Sequence, residues 1–171
     1  MVLIVANIFG LISALILIYM GSIKEKNTVL KYQIVQTSFG SLCDLLLGGI
    51  PSVITNIFNI IRNVLVTKNR FNKIYMFILI VLTTALVLYF NNLGYIGLIP
   101  LANFIFYTIF INTDDNIIFK YVFIISMITW LIYDFIIKAY SSSFFDFITI
   151  IIAIITVIRM IKSASKKKKK D

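Results

Sequence analysis

The chain has 171 residues, of which 60% are hydrophobic and only 13% are charged, and its mean hydropathy is +1.00. This composition excludes a soluble globular domain. The formal net charge of +9 would suggest nucleic-acid binding in a soluble protein, but here the basic residues lie between apolar runs of membrane-spanning length. The sequence therefore predicts an integral membrane protein that binds no nucleic acid.

The amino-terminal apolar run, VLIVANIFGLISALILIYM, has no basic region before it and a lysine-rich segment after it. These flanks favour a membrane span over a cleaved signal peptide. The chain contains no histidine and one cysteine, Cys43, so neither an intramolecular disulfide nor a zinc site is expected.

Apolar segments long enough to cross a bilayer recur along the whole chain. They are Val2–Met20, Leu30–Ile50, Ser52–Thr67, Ile74–Phe90, Leu93–Ile111, Ile117–Ile137 and Phe144–Ile161. Pro100, close to the start of the fifth segment, predicts a kink there. Two of the breaks, around Pro51 and Asn92, are short turns, and merging the spans across them would leave five helices.

The distribution of basic residues favours seven spans over five. With seven spans, one side of the membrane collects Lys24, Lys26, Lys31, Lys68, Arg70, Lys73, Lys120, Lys162, Lys166, Lys167, Lys168, Lys169 and Lys170. The other side has Lys138, accompanied by Asp146. Because cytoplasmic loops are enriched in lysine and arginine, we predict an external amino terminus and a cytoplasmic carboxyl terminus.

Two segments of the chain share a series of landmarks in the same order. Each has a lysine–tyrosine pair at the start of a predicted helix, an aspartate near its end, a turn, and a helix that ends in isoleucine–arginine. The landmarks are Lys31-Tyr32, Asp44 and Arg62 in the first segment, and Lys120-Tyr121, Asp134 and Arg159 in the second. We interpret the segments as two parallel three-helix repeats, a construction known in transporters. Similar apolar composition is the alternative explanation.

The repeat predicts an all-α polytopic membrane protein with seven transmembrane helices. Residues 1–70 would form the first three-helix bundle, 71–92 a linker helix and 93–162 the second bundle. Residues 163–171 would form a polybasic cytoplasmic tail, whose lysines Lys166–Lys170 contact anionic lipids.

The stretch Asn59-Ile60-Ile61-Arg62, preceded by LLLGGIPSVITNIF, resembles the Asn-x-x-Arg stretch of the YgjV-type bacterial inner-membrane proteins. TWLIYDF, followed by a turn and IITVIRMIK, is similar to the carboxyl-terminal hairpin of that family. The chain differs at Thr156, where a second asparagine would be expected before Arg159. The resemblance implies a bacterial inner membrane and this topology, and the likeness to SWEET- and PnuC-type carriers is one of architecture alone.

Asparagines follow one stripe of the third predicted span. Asn56, Asn59 and Asn63 are spaced i, i+3 and i+7, so they share a helix face. Amides facing lipid are unfavourable, so we expect this stripe to face other helices or water. Counted from the turn near Ile50, Asp44 should be level with Asn56. Arg62 lies roughly 9 Å deeper at 1.5 Å per residue, and its side chain could extend toward Asp44 through Asn59.

These residues predict a polar passage between the two bundles. The predicted solute-binding residues are Asp44, Asn56, Asn59, Arg62, Trp130, Tyr133 and Asp134. Trp130 and Tyr133 would supply stacking surfaces for a ring-shaped solute. Further polar residues could complete a wet interior: Asn7, Ser13, Gln33, Gln36, Thr37 and Ser41 in the first half, and Asn103, Ser126, Thr129, Thr149, Thr156 and Arg159 in the second.

Each of these residue types also has a simpler structural explanation. Arg62 and Arg159 could extend to lipid phosphates from the cytoplasmic ends of their helices, and Asp134 could reach external water. The asparagines could form hydrogen bonds between helices, and Trp130 could belong to an interfacial aromatic belt.

We predict no catalytic activity. The pair Tyr133-Asp134 is found in intramembrane aspartyl proteases, but their second motif, Gly-x-Gly-Asp, is absent. No metal-ligand cluster, cofactor-binding motif or serine–base arrangement is present.

Two classes of function remain, a small-solute carrier and a non-transporting membrane scaffold. In the carrier, an Asp–Arg pair would suit an uncharged or zwitterionic solute, or the aspartate would couple transport to protons. A monomer contains both halves of a pathway, and the sequence is also compatible with an oligomer.

Overall fold

The computed structural model describes residues 2–137 and 140–168, and these residues form helices without strands. The helices are α1 (Val2–Ser22), α2 (Lys26–Leu46), α3 (Ile50–Thr67), α4 (Lys73–Phe90), α5 (Leu98–Phe110), α6 (Asn116–Ile136) and α7 (Tyr140–Lys168), with a 3₁₀ turn, Gly94–Gly97, before α5. The predicted all-α fold is confirmed. Lys138, Lys169 and Lys170 and the side chains of Lys166–Lys168 lie outside the described residues.

Five helices of the described chain are long and apolar enough to cross a membrane: Val2–Ser22, Ile50–Thr67, Lys73–Phe90, Asn116–Ile136 and Ser142–Ser165. The helix α2 is long but more polar, and α5 with its 3₁₀ turn spans only Gly94–Phe110. All seven helices match the predicted segments in order. Seven membrane crossings stay a prediction, because α2 and α5 do not reach this length and hydropathy by themselves.

Six of the helices pack side by side in a closed circuit. Following the contacts, α1 packs against α2, α2 against α3, α3 against α5, α5 against α6, α6 against α7, and α7 returns to α1. The helix α4 packs on the outside of α3 and α5 and buries only Leu79, Thr83 and Val87. Large apolar side chains remain exposed on the outward faces, as expected for a surface that meets lipid.

The two ends of the bundle differ in chemistry. We call the end at which α1 ends and α2 begins the basic end, because Lys24 and Lys68 lie in the connections there and Lys73 begins α4. The apolar core occupies the half of the bundle next to it, and includes Met20, Leu30, Val66, Tyr107, Ile111, Phe119, Phe123 and Val157. The half toward the opposite end contains most of the buried polar side chains of α2 and α3.

Two prolines begin helices at the opposite end. Pro51 lies in the first turn of α3 and Pro100 in the first turn of α5, where a backbone N–H has no partner within the helix. The kink predicted at Pro100 is therefore replaced by a helix start after a 3₁₀ turn. Gly48 adopts a φ of 80° in the turn between α2 and α3, and its carbonyl accepts a hydrogen bond from Asn92 at 2.8 Å.

A buried lysine of α6 caps the end of α1. Lys120 is 0% exposed, and its Nζ donates to the carbonyl oxygens of Met20 at 3.0 Å and Gly21 at 3.1 Å. The last carbonyls of a helix have no partner within it and carry the negative end of the helix dipole. The ammonium also lies 4.8 Å from the centroid of the Phe123 ring. Lys120 therefore stabilises the contact of α6 with the end of α1.

Replacing Lys120 with methionine should lower the free energy of unfolding by about 1–3 kcal/mol, because two buried carbonyls of α1 would lose their donor. The matched control is Lys31→Met, since Lys31 starts the same lysine–tyrosine pair on α2 but is exposed. Unfolding of the purified protein by SDS in mixed micelles measures both. Equal destabilisation by the two substitutions would contradict the capping role.

Candidate functional site

A cavity of about 100 Å³ lies inside the helix circuit, in its polar half. Five helices contribute to its wall: Gly10, Ser13, Ala14 and Leu17 of α1; Gln33, Gln36, Thr37, Gly40, Cys43 and Asp44 of α2; Asn56 and Asn59 of α3; Phe123, Ser126, Met127, Trp130 and Asp134 of α6; and Ser142 and Asp146 of α7. We call this space the inner cavity. Both halves of the chain thus contribute polar groups to the wall of one space.

A larger space of about 900 Å³ adjoins the inner cavity and reaches the opposite end of the bundle. The two share Gly10, Cys43, Asp44, Asp134 and Ser142 as wall residues. The wall of this outer cavity also includes turn residues Leu47 and Gly48, which are exposed. The inner cavity therefore adjoins a space that reaches the opposite end, whereas the apolar core lies toward the basic end.

The structure brings Asp44 and Asn56 together across the turn between α2 and α3. The Asn56 Nδ2 donates to Asp44 Oδ2 at 3.1 Å, so the two residues are level, as their equal separation from the turn predicts. The Ser52 hydroxyl lies within hydrogen-bonding reach of the same carboxylate. Asn59, one turn further along α3, is 9% exposed and lines the inner cavity. The asparagine stripe therefore faces the interior of the bundle.

Arg62 points away from Asp44 and does not line either cavity. Its guanidinium donates to Asn63 Oδ1 from Nε at 3.2 Å and from Nη2 at 2.9 Å, and to Thr108 Oγ1 from Nη1 at 3.1 Å. The guanidinium carbon lies 4.6 Å from the ring centroid of Tyr107 and 5.5 Å from that of Phe104. The prediction that Arg62 approaches Asp44 through Asn59 is therefore wrong.

The arginines of the two halves occupy different environments. Arg62 is 0% exposed and sits between α3 and α5, so it does not extend to lipid phosphates. Arg159 is exposed on α7, in agreement with the lipid-facing alternative. Asn63 also donates to Gln33 Oε1 at 3.1 Å, and Gln33 lines the inner cavity. The buried guanidinium is thus connected to the cavity wall through neutral amides.

Three carboxylates surround the inner cavity: Asp44 on α2, Asp134 on α6 and Asp146 on α7. Asp134 lies within electrostatic range of the other two. Asp146 is 5% exposed, and its Oδ2 has no hydrogen-bond partner among the described residues. The sequence analysis placed Asp146 near the start of the seventh segment and grouped it with Lys138, so it was not predicted as a site residue. Its place three residues before Thr149, on the same face of α7, is the signal that could have found it.

The aromatic pair on α6 divides between the two cavities. Trp130 is half-buried and lines the inner cavity, and Tyr133 is 1% exposed and lines the outer one. Their rings form an edge-to-face pair with centroids 5.6 Å apart. Trp130 therefore offers part of a ring surface to the inner cavity, while Tyr133 is packed in the wall.

The remaining predicted polar residues separate into two groups. Ser13, Gln33, Gln36, Thr37 and Ser126 line the inner cavity, and Asn7 lines the outer one. Thr149 and Thr156 bond to carbonyls of their own helix, and neither they nor Ser41, Asn103 and Thr129 line either cavity. The first half therefore supplies more of the polar wall than the second.

Residues 4–164 match the model of a family described as bacterial inner membrane protein, Imp-YgjV. The chain belongs to this family. Comparisons with curated proteins and with solved structures find no match. The family resemblance predicted from the Asn59–Arg62 stretch is confirmed, and this Imp-YgjV family protein is a bacterial inner-membrane protein with several apolar helices.

Arg62→Ala should destabilise the Imp-YgjV protein by about 3 kcal/mol. The change leaves a cavity, and Asn63 Oδ1 and Thr108 Oγ1 lose the guanidinium that donates hydrogen bonds to them. Arg62→Lys should also be destabilised, since an ammonium cannot reproduce the forked geometry of the guanidinium. Arg159→Ala, the corresponding change at an exposed arginine, should alter stability by no more than about 0.5 kcal/mol. Thermal unfolding in detergent measures all three. If Arg62→Ala matched Arg159→Ala, the contacts of the guanidinium would have no structural weight.

Proposed function

We propose that the protein is a small-solute carrier of the bacterial inner membrane, with the inner cavity as its solute site and without chemical conversion of the solute. The observation that carries this proposal is that the inner and outer cavities adjoin each other and share five wall residues. A buried space lined by carboxylates and amides, and connected to one end of a membrane bundle, is an arrangement suited to a water-soluble ligand.

The pattern of helix contacts supports a two-fold construction. If α1, α2 and α3 are exchanged with α5, α6 and α7, each neighbour pair of the circuit becomes another neighbour pair. The pair α3–α5 becomes α7–α1, and α2 faces α6 across the middle. Two parallel three-helix repeats joined by α4 would produce this circuit, with the solute site at the interface between the repeats.

The basic end would face the cytoplasm, because lysines and arginines concentrate on that side of bacterial inner-membrane proteins. Both cavities would then be reached from outside. The polybasic segment Lys166–Lys170 would lie beside anionic lipids of the cytoplasmic leaflet, with a contribution of about 1 kcal/mol for each basic residue.

The basic end is closed by polar contacts as well as by the apolar core. The backbone N–H of Lys26 donates to Asn116 Oδ1 at 2.9 Å, and the Lys26 Nζ donates to the Thr113 carbonyl at 2.7 Å. These contacts join the starts of α2 and α6, which are corresponding helices of the proposed repeats. A carrier that is open to one side and closed to the other in this way would expose its site alternately.

A non-transporting scaffold is the second candidate function. The observation that favours it is the network of Arg62, Asn63 and Thr108, in which buried polar groups bond to each other. If the cavity residues had the same role, the polar stripe would hold helices together and would exclude water. Water access to the inner cavity therefore distinguishes the two functions.

A carrier should leave Cys43 reactive toward water-soluble thiol reagents, because this single cysteine of the chain lines both cavities. Labelling is measured by mass spectrometry after a membrane-impermeant methanethiosulfonate reagent is added to intact spheroplasts. In a Cys43→Ala background, Asn59→Cys and Asp44→Cys should also be labelled.

The matched control is Val29→Cys in the same Cys43→Ala background. Val29 is 0% exposed within the apolar core near the basic end, so this thiol should remain unlabelled. Protection of Cys43, Asp44→Cys and Asn59→Cys to the same degree as Val29→Cys would favour the scaffold and reject the carrier.

A further inference from the structure

We propose that the ligand of the inner cavity is a small organic cation, held by the carboxylates of Asp44, Asp134 and Asp146 and by the ring of Trp130. This inference rests on the proposed carrier function and specifies the class of solute. It replaces the uncharged or zwitterionic solute expected from an Asp–Arg pair, because Arg62 lies elsewhere.

The described walls of the two cavities contain carboxylates but no lysine or arginine. The nearest interior cation on α3, Arg62, binds Asn63 and Thr108 and faces the rings of α5. Carboxylates in a space of low dielectric need a positive partner or a proton. A cationic ligand would supply the charge that the described walls lack.

Asp146 provides an independent indication of a ligand. Its side chain is 5% exposed, lines the inner cavity and has an oxygen without a hydrogen-bond partner among the described residues. Buried polar atoms are nearly always bonded, and exceptions cluster where a ligand or an ion completes the site. By contrast, the Asp44 carboxylate already accepts a hydrogen bond from Asn56. Asp146 therefore has a buried oxygen that is available to an external donor.

The spacing of the carboxylates favours a molecular cation over a metal ion. The described chain has no group of three aspartate, glutamate, cysteine or histidine side chains that converges as metal ligands do. The three aspartates instead approach the inner cavity from α2, α6 and α7. An ammonium or guanidinium group presents donors over a wider surface, and the half-buried ring of Trp130 can bind its positive face.

The first experiment compares two thiol reagents of opposite charge at Cys43. One reagent is the cationic trimethylammonium-ethyl methanethiosulfonate and the other is the anionic sulfonato-ethyl methanethiosulfonate. The cation-to-anion ratio of their modification rates is measured at Cys43 and at a reference thiol, and the first ratio is divided by the second to give a normalised ratio. The reference is Tyr95→Cys in a Cys43→Ala background, because Tyr95 is 92% exposed at the same end of the bundle. Focusing of negative potential in the cavity should raise the normalised ratio by about tenfold or more.

The second experiment measures protection of Cys43 by choline and by 3,3-dimethyl-1-butanol, its uncharged isostere. Choline should slow the modification, and the isostere should not. Asp146→Asn should weaken choline protection by about tenfold or more, because it removes one charge of the site. The matched control, Asp114→Asn, changes an exposed aspartate at the basic end and should leave protection unchanged. If Asp146→Asn does not fold, Asp134→Asn and Trp130→Leu test the same site.

The outcomes separate this inference from the carrier proposal. If Cys43 is modified but its normalised ratio equals that of the reference, the cation site is rejected while the carrier stands. The cation site is also rejected if choline, tetramethylammonium and guanidinium all fail to protect Cys43 from modification. Protons alone would then neutralise the carboxylates. Equal protection by choline and its isostere also rejects the cation site. If neither reagent modifies Cys43, the carrier proposal falls together with the cation site.

Discussion

A guanidinium that never reaches solvent organises the centre of this bundle. Arg62 keeps its charge at any physiological pH, so its burial requires donors to be matched by acceptors and aromatic faces. Asn63, Thr108, Phe104 and Tyr107 provide them and draw α3 against α5. The contact between α3 and α5 therefore includes a buried charge that is partnered by neutral groups, beside the edge-to-face pair of Phe58 and Phe104.

The distribution of polarity along the bundle follows from the same constraint. Polar groups removed from water need partners, and several of those on α3 either belong to the arginine network or face the inner cavity. Apolar side chains fill the half near the basic end, where Phe119 and Ile111 are fully buried. One half is therefore filled mainly by apolar side chains, and the other contains the inner and outer cavities. This contrast distinguishes the two ends of the bundle before any orientation in the membrane is assigned.

Helix positions were predictable because hydrophobic run length and turn residues determine them locally. The level pairing of Asp44 with Asn56 was also predictable, since a short turn fixes the register of two adjoining helices. The direction of Arg62 was not, because it depends on Thr108 and Tyr107, which are remote in sequence. Asp146 was missed for a related reason: its burial depends on how α7 packs against α1 and α6, which are remote in sequence or separated from it by a turn.

The cap on α1 links early and late parts of the chain during membrane insertion. The carbonyls of Met20 and Gly21 receive their donor from Lys120, whose position is 100 residues beyond Met20. The chain emerges amino terminus first, so α1 reaches the bilayer before α6. Until α6 arrives, the last carbonyls of α1 must accept hydrogen bonds from water or lipid headgroups. A fragment that ends before α6 would leave these carbonyls without their protein donor.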